Sequence, residues 1–208
     1  MAARYGKDNA LVLPLDITDA AALEAAAKAI DDAWGGLDLV VPMAGEYKPM
    51  RATEIDLAVA RTMIEVNLMG YLNVCAAVVP RMLRRKSGTI SLVSSVAGYR
   101  GLPKSLIYGP TKAALINLAE TMYLDLQPHG VAVSVINPGF VKTPLTAQNE
   151  FEMPNIITPE EAADEIVKGL AAGEFEIHFP KAFSRKLKLL RHFPYGMYFN
   201  AIRKSTGL

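Results

Sequence analysis

Apolar and polar positions along this chain switch repeatedly between a short strand-like run and a helical period. Leu11 to Leu15 is an apolar run that predicts a strand, and Asp16-Ile17-Thr18-Asp19 closes it with helix N-cap residues. Ala20 to Trp34 is Ala-rich and predicts a helix stopped by Gly35-Gly36. Leu37 to Val41 predicts a second strand, with Met43-Ala44-Gly45 as a loop after it. Thr53 to about Arg85 is largely helical in pattern, with Pro80 as a kink or break. Thr89 to Ser94 predicts a third strand, Pro110 to Leu126 a helix, and Val131 to Ile136 a fourth strand rich in β-branched residues. Asn137-Pro138-Gly139 turns that strand into a loop running to Ile157. Thr158-Pro159-Glu160-Glu161 is a helix start: an N-cap, Pro at the first helical position, and acids in the first turn. That helix ends at Gly173, and Glu174 to His178 predicts a last strand. Strands alternating with helices imply an α/β fold with a parallel sheet covered on both faces.

Composition narrows the picture. The 208 residues suit a single domain, 1–208, with a sizeable core. Hydrophobic residues make up 51% and charged residues 21%, which is ordinary for a globular protein. The net charge of +1 gives no general case for nucleic acid. The charge is uneven, because residues 177–208 hold seven Lys or Arg and no acid, leaving fifteen basic against twenty-one acidic residues elsewhere. The lone Cys75 excludes an internal disulfide and fits a reducing, cytoplasmic setting. No apolar run approaches a membrane span, and the first residues lack a signal-peptide core.

Candidate chemistry gathers in Ser94 to Lys112. Tyr108 and Lys112 lie four apart, and Pro110 between them suits a first helical turn. That spacing puts a phenol and an ammonium on one helix face. A free Tyr titrates at about 10. A fixed positive charge nearby favours the phenolate, so such a Tyr is poised for proton transfer. Ser95 lies at a strand end, where α/β proteins carry working side chains, and its hydroxyl can hold a reacting oxygen. A Tyr-x-x-x-Lys pair by itself also occurs as a plain surface neighbour pair. No Gly-x-Ser-x-Gly elbow surrounds any Ser, which argues against an α/β hydrolase. No His/Cys/carboxylate set has metal-ligand spacing.

With these motifs in order, the chain resembles the short-chain dehydrogenase/reductase family. Leu15-Asp16-Ile17-Thr18 resembles the family's acidic strand end beside the adenine. Met43-Ala44-Gly45 resembles the end of its Asn-Asn-Ala-Gly loop. Val66-Asn67-Leu68 matches the helix segment with the catalytic Asn, and Ser95, Tyr108 and Lys112 match the catalytic Ser and the Tyr-x-x-x-Lys pair. Asn137-Pro138-Gly139, continuing through Val141 to Thr143, matches the loop that cradles the nicotinamide. The resemblance implies a Rossmann-like doubly wound sheet and NAD(P)(H)-dependent hydride transfer between a carbonyl and an alcohol. It implies that Tyr108 is the acid/base, that Lys112 lowers its pKa and holds the nicotinamide ribose, that Ser95 binds the carbonyl, and that Asn67 holds a water in a relay to Lys112. It implies cofactor contacts from Asp16, Ile17, Ala44, Gly45, Tyr108, Lys112, Pro138, Gly139, Val141 and Thr143. It further implies a homo-oligomer whose face is formed by the helices carrying Asn67 and Tyr108. Plainer readings remain open: Asn67 as a packing residue or kink cap, Asp16 as a helix starter, Thr143 as a turn residue.

Two departures from the family pattern matter. Pro42-Met43 stand where the family has two Asn, the second of which fixes the loop to the central strand, and a Met sulfur accepts hydrogen bonds only weakly. No Gly-x-Gly occurs in the chain, so the family's phosphate loop, and with it the first strand-turn-helix-strand unit, is not represented. The expectation is an N-terminally truncated fold with weak or no NAD(P)(H) binding: either a shortened form of an ordinary enzyme or a cofactor-poor relative. The alternative function is a non-catalytic subunit acting through protein or membrane-surface contact. Residues 179–208 form a basic, aromatic extension in which Phe183, Leu187 and Leu190 recur at helical spacing. Such a helix suits either an anionic membrane surface or a lid over the substrate pocket or a partner subunit. Substrate choice is expected to reside in Leu145 to Ile157 and in this tail.

Overall fold

The fold is known from a computed structural model, which describes residue 6, residues 9–148 and residues 152–207. Helix α1 (Ala20–Trp34) begins where the Asp19 carboxylate accepts from the Ala22 amide at 2.9 Å, and it ends at Gly35 in the left-handed region (φ 77°). After it come β1 (Leu39–Val40), α2 (Leu57–Ile64), a π-helical turn (Glu65–Met69) and α3 (Gly70–Arg85). Then follow β2 (Thr89–Val93), α4 (Tyr108–Leu126), β3 (Ala132–Pro138), α5 (Pro159–Ala171) and β4 (Glu176–Phe179). The chain closes with α6 (Lys181–Arg191) and α7 (Tyr195–Thr206).

The sheet is parallel throughout, in the order β1-β2-β3-β4, so each crossover passes through helical chain. This is the α/β, Rossmann-like architecture that the alternating pattern implies. The main core lies where α3 and α4 cover the sheet. Tyr71, Val74, Val78 and Met82 from α3 meet Leu115, Ala119 and Met122 from α4 over Ile90, Leu92, Val133 and Val135. By length and hydropathy the helical stretch Leu57–Arg85 would suffice to cross a membrane, contrary to the sequence expectation. Here it serves as a core helix, with Met63, Tyr71 and Met82 almost wholly buried. Pro80 sits within α3 without ending it.

Leu11 to Leu15 corrects the reading of the first segment. It forms no strand, and Leu11, Val12 and Leu15 are all exposed. A strand needs a ladder partner, and the described sheet begins only at β1, which is itself two residues long. The next turn is anchored instead by α3. The Asn73 side-chain amide donates to the carbonyls of Ile17 (3.3 Å) and Thr18 (3.2 Å), and Ile17 packs against Gly70. Helix α7 was also missed from sequence, because Gly196 in its first turn and its aromatic run obscure the period.

The capping signal at Thr158 is realised in full. The Glu161 amide donates to the Thr158 hydroxyl at 3.2 Å, and the Thr158 amide donates to the Glu161 carboxylate at 2.8 Å.

Candidate active site

Ser95, Tyr108, Lys112 and Asn67 converge at the C-terminal ends of β1 and β2, the end at which open α/β sheets bind ligands. Ser95 follows β2 and starts a short 3₁₀ turn (Val96–Gly98): its hydroxyl accepts from the Ala97 amide at 3.1 Å and donates to the Pro138 carbonyl at 3.3 Å. Two contacts fix this turn against α4. The Ser94 hydroxyl donates to the Lys112 carbonyl at 2.6 Å. A Cβ on Gly98 would lie 2.7 Å from the Lys112 carbonyl carbon and 2.8 Å from the Ala113 nitrogen, so only glycine allows that approach.

Tyr108 and Lys112 occupy the first two turns of α4 on one face. The Lys112 ammonium donates to the Val93 carbonyl at 3.0 Å and lies 5.7 Å from the centre of the Tyr108 ring. Lys112 is 3% exposed, and burial holds it down to about 8. Tyr108 packs edge-on against Tyr47, with ring centres 5.0 Å apart. Burial pushes its phenol up to about 12, the Ser95 hydrogen bond pulls the other way, and Tyr47 adds a small upward push. The expectation that Lys112 acidifies Tyr108 has no counterpart in the free chain: burial raises the phenol, and the ammonium is directed at the Val93 carbonyl.

Asn67 lies in the π turn, where backbone hydrogen bonds span one residue more than in an α-helix, a feature concentrated at functional sites. Its side chain is fully buried and clamps one residue at both ends. Oδ1 accepts from the Glu46 amide and Nδ2 donates to the Glu46 carbonyl, each at 2.8 Å. Asn67 therefore fixes the backbone just after Ala44-Gly45, whose Gly45 lies against Oδ1.

The remaining sequence-predicted residues fall into two groups. Pro138 and Gly139 lie beside the Ser95 turn, while Ala44 and Gly45 are held by Tyr71 and Asn67. The Ala44 carbonyl accepts from the Tyr71 hydroxyl, and the Gly139 amide donates to the Phe179 carbonyl at 2.6 Å. A Cβ on Gly139 would lie 3.0 Å from the Phe183 ring, so the loop packs closely on α6. Val141 makes an isolated bridge with Ile157, and Thr143 is engaged in its own turn with Thr146. Asp16 and Ile17 stand on the separate turn before α1. The Asp16 carboxylate is taken by the Thr18 amide and hydroxyl, both at 2.8 Å, which holds it below the usual carboxylate range. Within the loop expected to govern substrate choice, residues 149–151 lie outside the described residues.

Sequence reading missed two supports. Tyr71 follows Asn67 by one helical turn, and that spacing was the available signal. The second is a carboxylate hub. Glu176 accepts from the Tyr99 hydroxyl, from the Asn137 amide at 2.9 Å and from the Lys188 ammonium at 2.6 Å. Burial alone would raise its pKa, but these donors hold it below the usual range. The hub ties the chain after Ser95, the end of β3 and α6 together. Arg100 extends this join by donating to the carbonyls of Leu190 and Phe193, and it lies over the Tyr195 and Tyr198 rings. The predicted stripe of α6 faces inward, with Phe183 and Leu187 packed on the core.

Comparison with known proteins bears on this arrangement. The pattern of the family described as short chain dehydrogenase matches residues 1–153. The chain belongs to the short-chain dehydrogenase family. It is 36% identical over 190 residues to an uncharacterized oxidoreductase of Myxococcus xanthus (strain DK1622), covering 91% of this chain and 75% of that one. A solved short-chain dehydrogenase from Streptomyces avermitilis superposes with a TM-score of 0.79 at 21% identity, over 99% of this chain and 80% of that one. One from Burkholderia cenocepacia J2315, solved in complex with NADP, superposes with a TM-score of 0.82 at 24% identity, over 93% and 78%. These two structures establish the fold, and the family match makes the chain an oxidoreductase of the short-chain dehydrogenase type.

Proposed function

We propose that the chain interconverts a carbonyl and an alcohol with NAD(P)(H), using Tyr108 as the proton donor or acceptor. The observation that carries this reading is the convergence of Ser95, Tyr108, Lys112 and Asn67 on one strand-end site. When bound, the nicotinamide supplies or accepts the hydride. The protein's part is placement and proton handling. Ser95 and Tyr108 are hydrogen-bond neighbours, so a substrate oxygen placed between them receives the Tyr108 hydroxyl and, once Ser95 turns its single proton away from the Pro138 carbonyl, a second donor. In the reducing direction Tyr108 gives its proton to that oxygen, and in the oxidising direction it removes one. Lys112 is mostly protonated at neutral pH and has three N–H donors, so it can keep its bond to Val93 and still donate to ribose hydroxyls. Asn67 serves this site by fixing the loop at Glu46.

The residues fit the two ends of a dinucleotide unequally. The ammonium, the phenol and the backbone at Ala44-Gly45 and Pro138-Gly139 suit a ribose and nicotinamide. No Gly-x-Gly is present to receive the pyrophosphate, and the Asp16 carboxylate is already engaged by Thr18. The reading is therefore of weak cofactor binding, above the micromolar range. A second copy of the chain is the expected partner, through α3 and α4, where Leu72 and Leu124 are exposed. Fluorescence titration with NADPH and NADH tests the cofactor reading: a dissociation constant at or below micromolar contradicts weak binding, and no saturation at millimolar contradicts the cofactor altogether.

A further inference from the structure

We propose that Tyr71 is a positioning residue of this site, doing through its hydroxyl what Met43 cannot do from the loop. The β1–β2 ladder pairs only Leu39 with Thr89 and Val40 with Ile90. Ala44 lies four residues beyond the last pair, and Met43 turns its side chain to solvent at 65% exposure. The Tyr71 hydroxyl bridges that gap, 3.1 Å from the Ala44 carbonyl and 3.1 Å from the Val93 carbonyl. A phenol has one proton, so it serves the two acceptors alternately or as a shared bond. Either way it links the loop to the end of β2 after the ladder has stopped.

The same residue underlies Lys112. The ammonium lies 5.3 Å from the centre of the Tyr71 ring and shares the Val93 carbonyl with the Tyr71 hydroxyl. Tyr71 itself is completely buried, so its hydroxyl has no water to turn to and its orientation is fixed by the two carbonyls. Asn67, one turn earlier on the same helical stretch, clamps Glu46. One face of the helix thus holds the loop at two points, Ala44 and Glu46, and carries the Lys112 ammonium beside them. The catalytic consequence rests on the dehydrogenase reading above; the tether itself does not.

The test is Tyr71→Phe, which keeps the ring under Lys112 and removes the hydroxyl. In the free chain, amide hydrogen exchange is read at residues 44–46 and, as a reference, in α5. The expected result is exchange faster by about three- to tenfold at 44–46, the loss of one buried hydrogen bond, with α5 unchanged. Unchanged exchange at 44–46, or an equal rise in α5, overturns the proposal. Should Y71F fail to fold, 3-fluorotyrosine placed at 71 strengthens the donor instead; slower exchange at 44–46 supports the tether and unchanged exchange refutes it. Turnover is measured separately. Local loosening with no turnover in either protein keeps the tether and retires the dehydrogenase reading. Turnover with the same cofactor KM in both proteins overturns the positioning role, whereas a raised KM with an unaltered kcat–pH profile supports it.

Discussion

Replacing Lys112 with Met removes a buried ammonium while keeping the length of the side chain, and its effect depends on pH with a definite sign. In the folded chain Lys112 titrates at about 8, against 10.5 for an unfolded lysine, and burial is the cause. The unfolded state therefore binds more protons between those values, and stability rises with pH across that window. Below about pH 8 the charged lysine is a constant burden. From there to about pH 10.5 the wild type recovers about 3 kcal/mol. Cys75 and Tyr108 contribute the opposite trend. Burial raises the thiol from 9.0 to about 11 and the phenol from 10.0 to about 12, so their stabilisation fades above the lower of each pair. The Tyr108 contribution begins only near pH 10, at the edge of the range used, and the Cys75 contribution enters wild type and variant alike. The assay is urea unfolding of both proteins from pH 7 to 10, taking the difference at each pH. K112M should be the more stable at pH 7, with its advantage shrinking steadily as pH rises. A difference that stays flat with pH would refute the burial argument for Lys112.

Other outcomes follow from the same contacts. Tyr108→Phe should lower turnover at saturating cofactor by about 10²- to 10⁴-fold, measured by steady-state kinetics. Thr158→Ala breaks the capping box of α5 and should cost about 1 kcal/mol in urea unfolding, without altering turnover per folded molecule. Glu176→Gln keeps the shape of the hub but removes its charge, and about 1.5–3 kcal/mol of stability should go with it. The wild type should lose this contribution as pH falls through the carboxylate range, because a carboxylate held low stabilises only while ionised, and E176Q should not show that acid-side loss.

Much of the site was legible because its signals are local. Tyr108 and Lys112 share a helix face by spacing alone, Ser95 follows an apolar run, and Thr158-Pro159-Glu160-Glu161 states a helix start in four letters. The order of motifs then pointed to Asn67 and to the Asn137-Pro138-Gly139 loop. What sequence could not supply was set by distant partners. Leu11 to Leu15 has the composition of a strand, yet a strand exists only where a ladder partner does. The phenol of Tyr108 was expected to be acidified by a neighbour at the right spacing, and burial in three dimensions reversed the sign. Tyr71, Tyr99, Glu176 and Lys188 support the site from separate elements, and the bonds among the last three span 12 and 77 residues of chain.

The central claim is that Tyr108 works as an acid/base for nicotinamide-dependent carbonyl chemistry. It is tested most directly by following nicotinamide absorbance with a panel of aldehydes and ketones, at millimolar NADPH or NADH to offset weak binding, for wild type and Y108F side by side. The account predicts oxidation of the reduced cofactor by the wild type and a loss of at least about a hundredfold in Y108F. Equal rates in the two proteins, or no oxidation by the wild type at saturating cofactor, would contradict it.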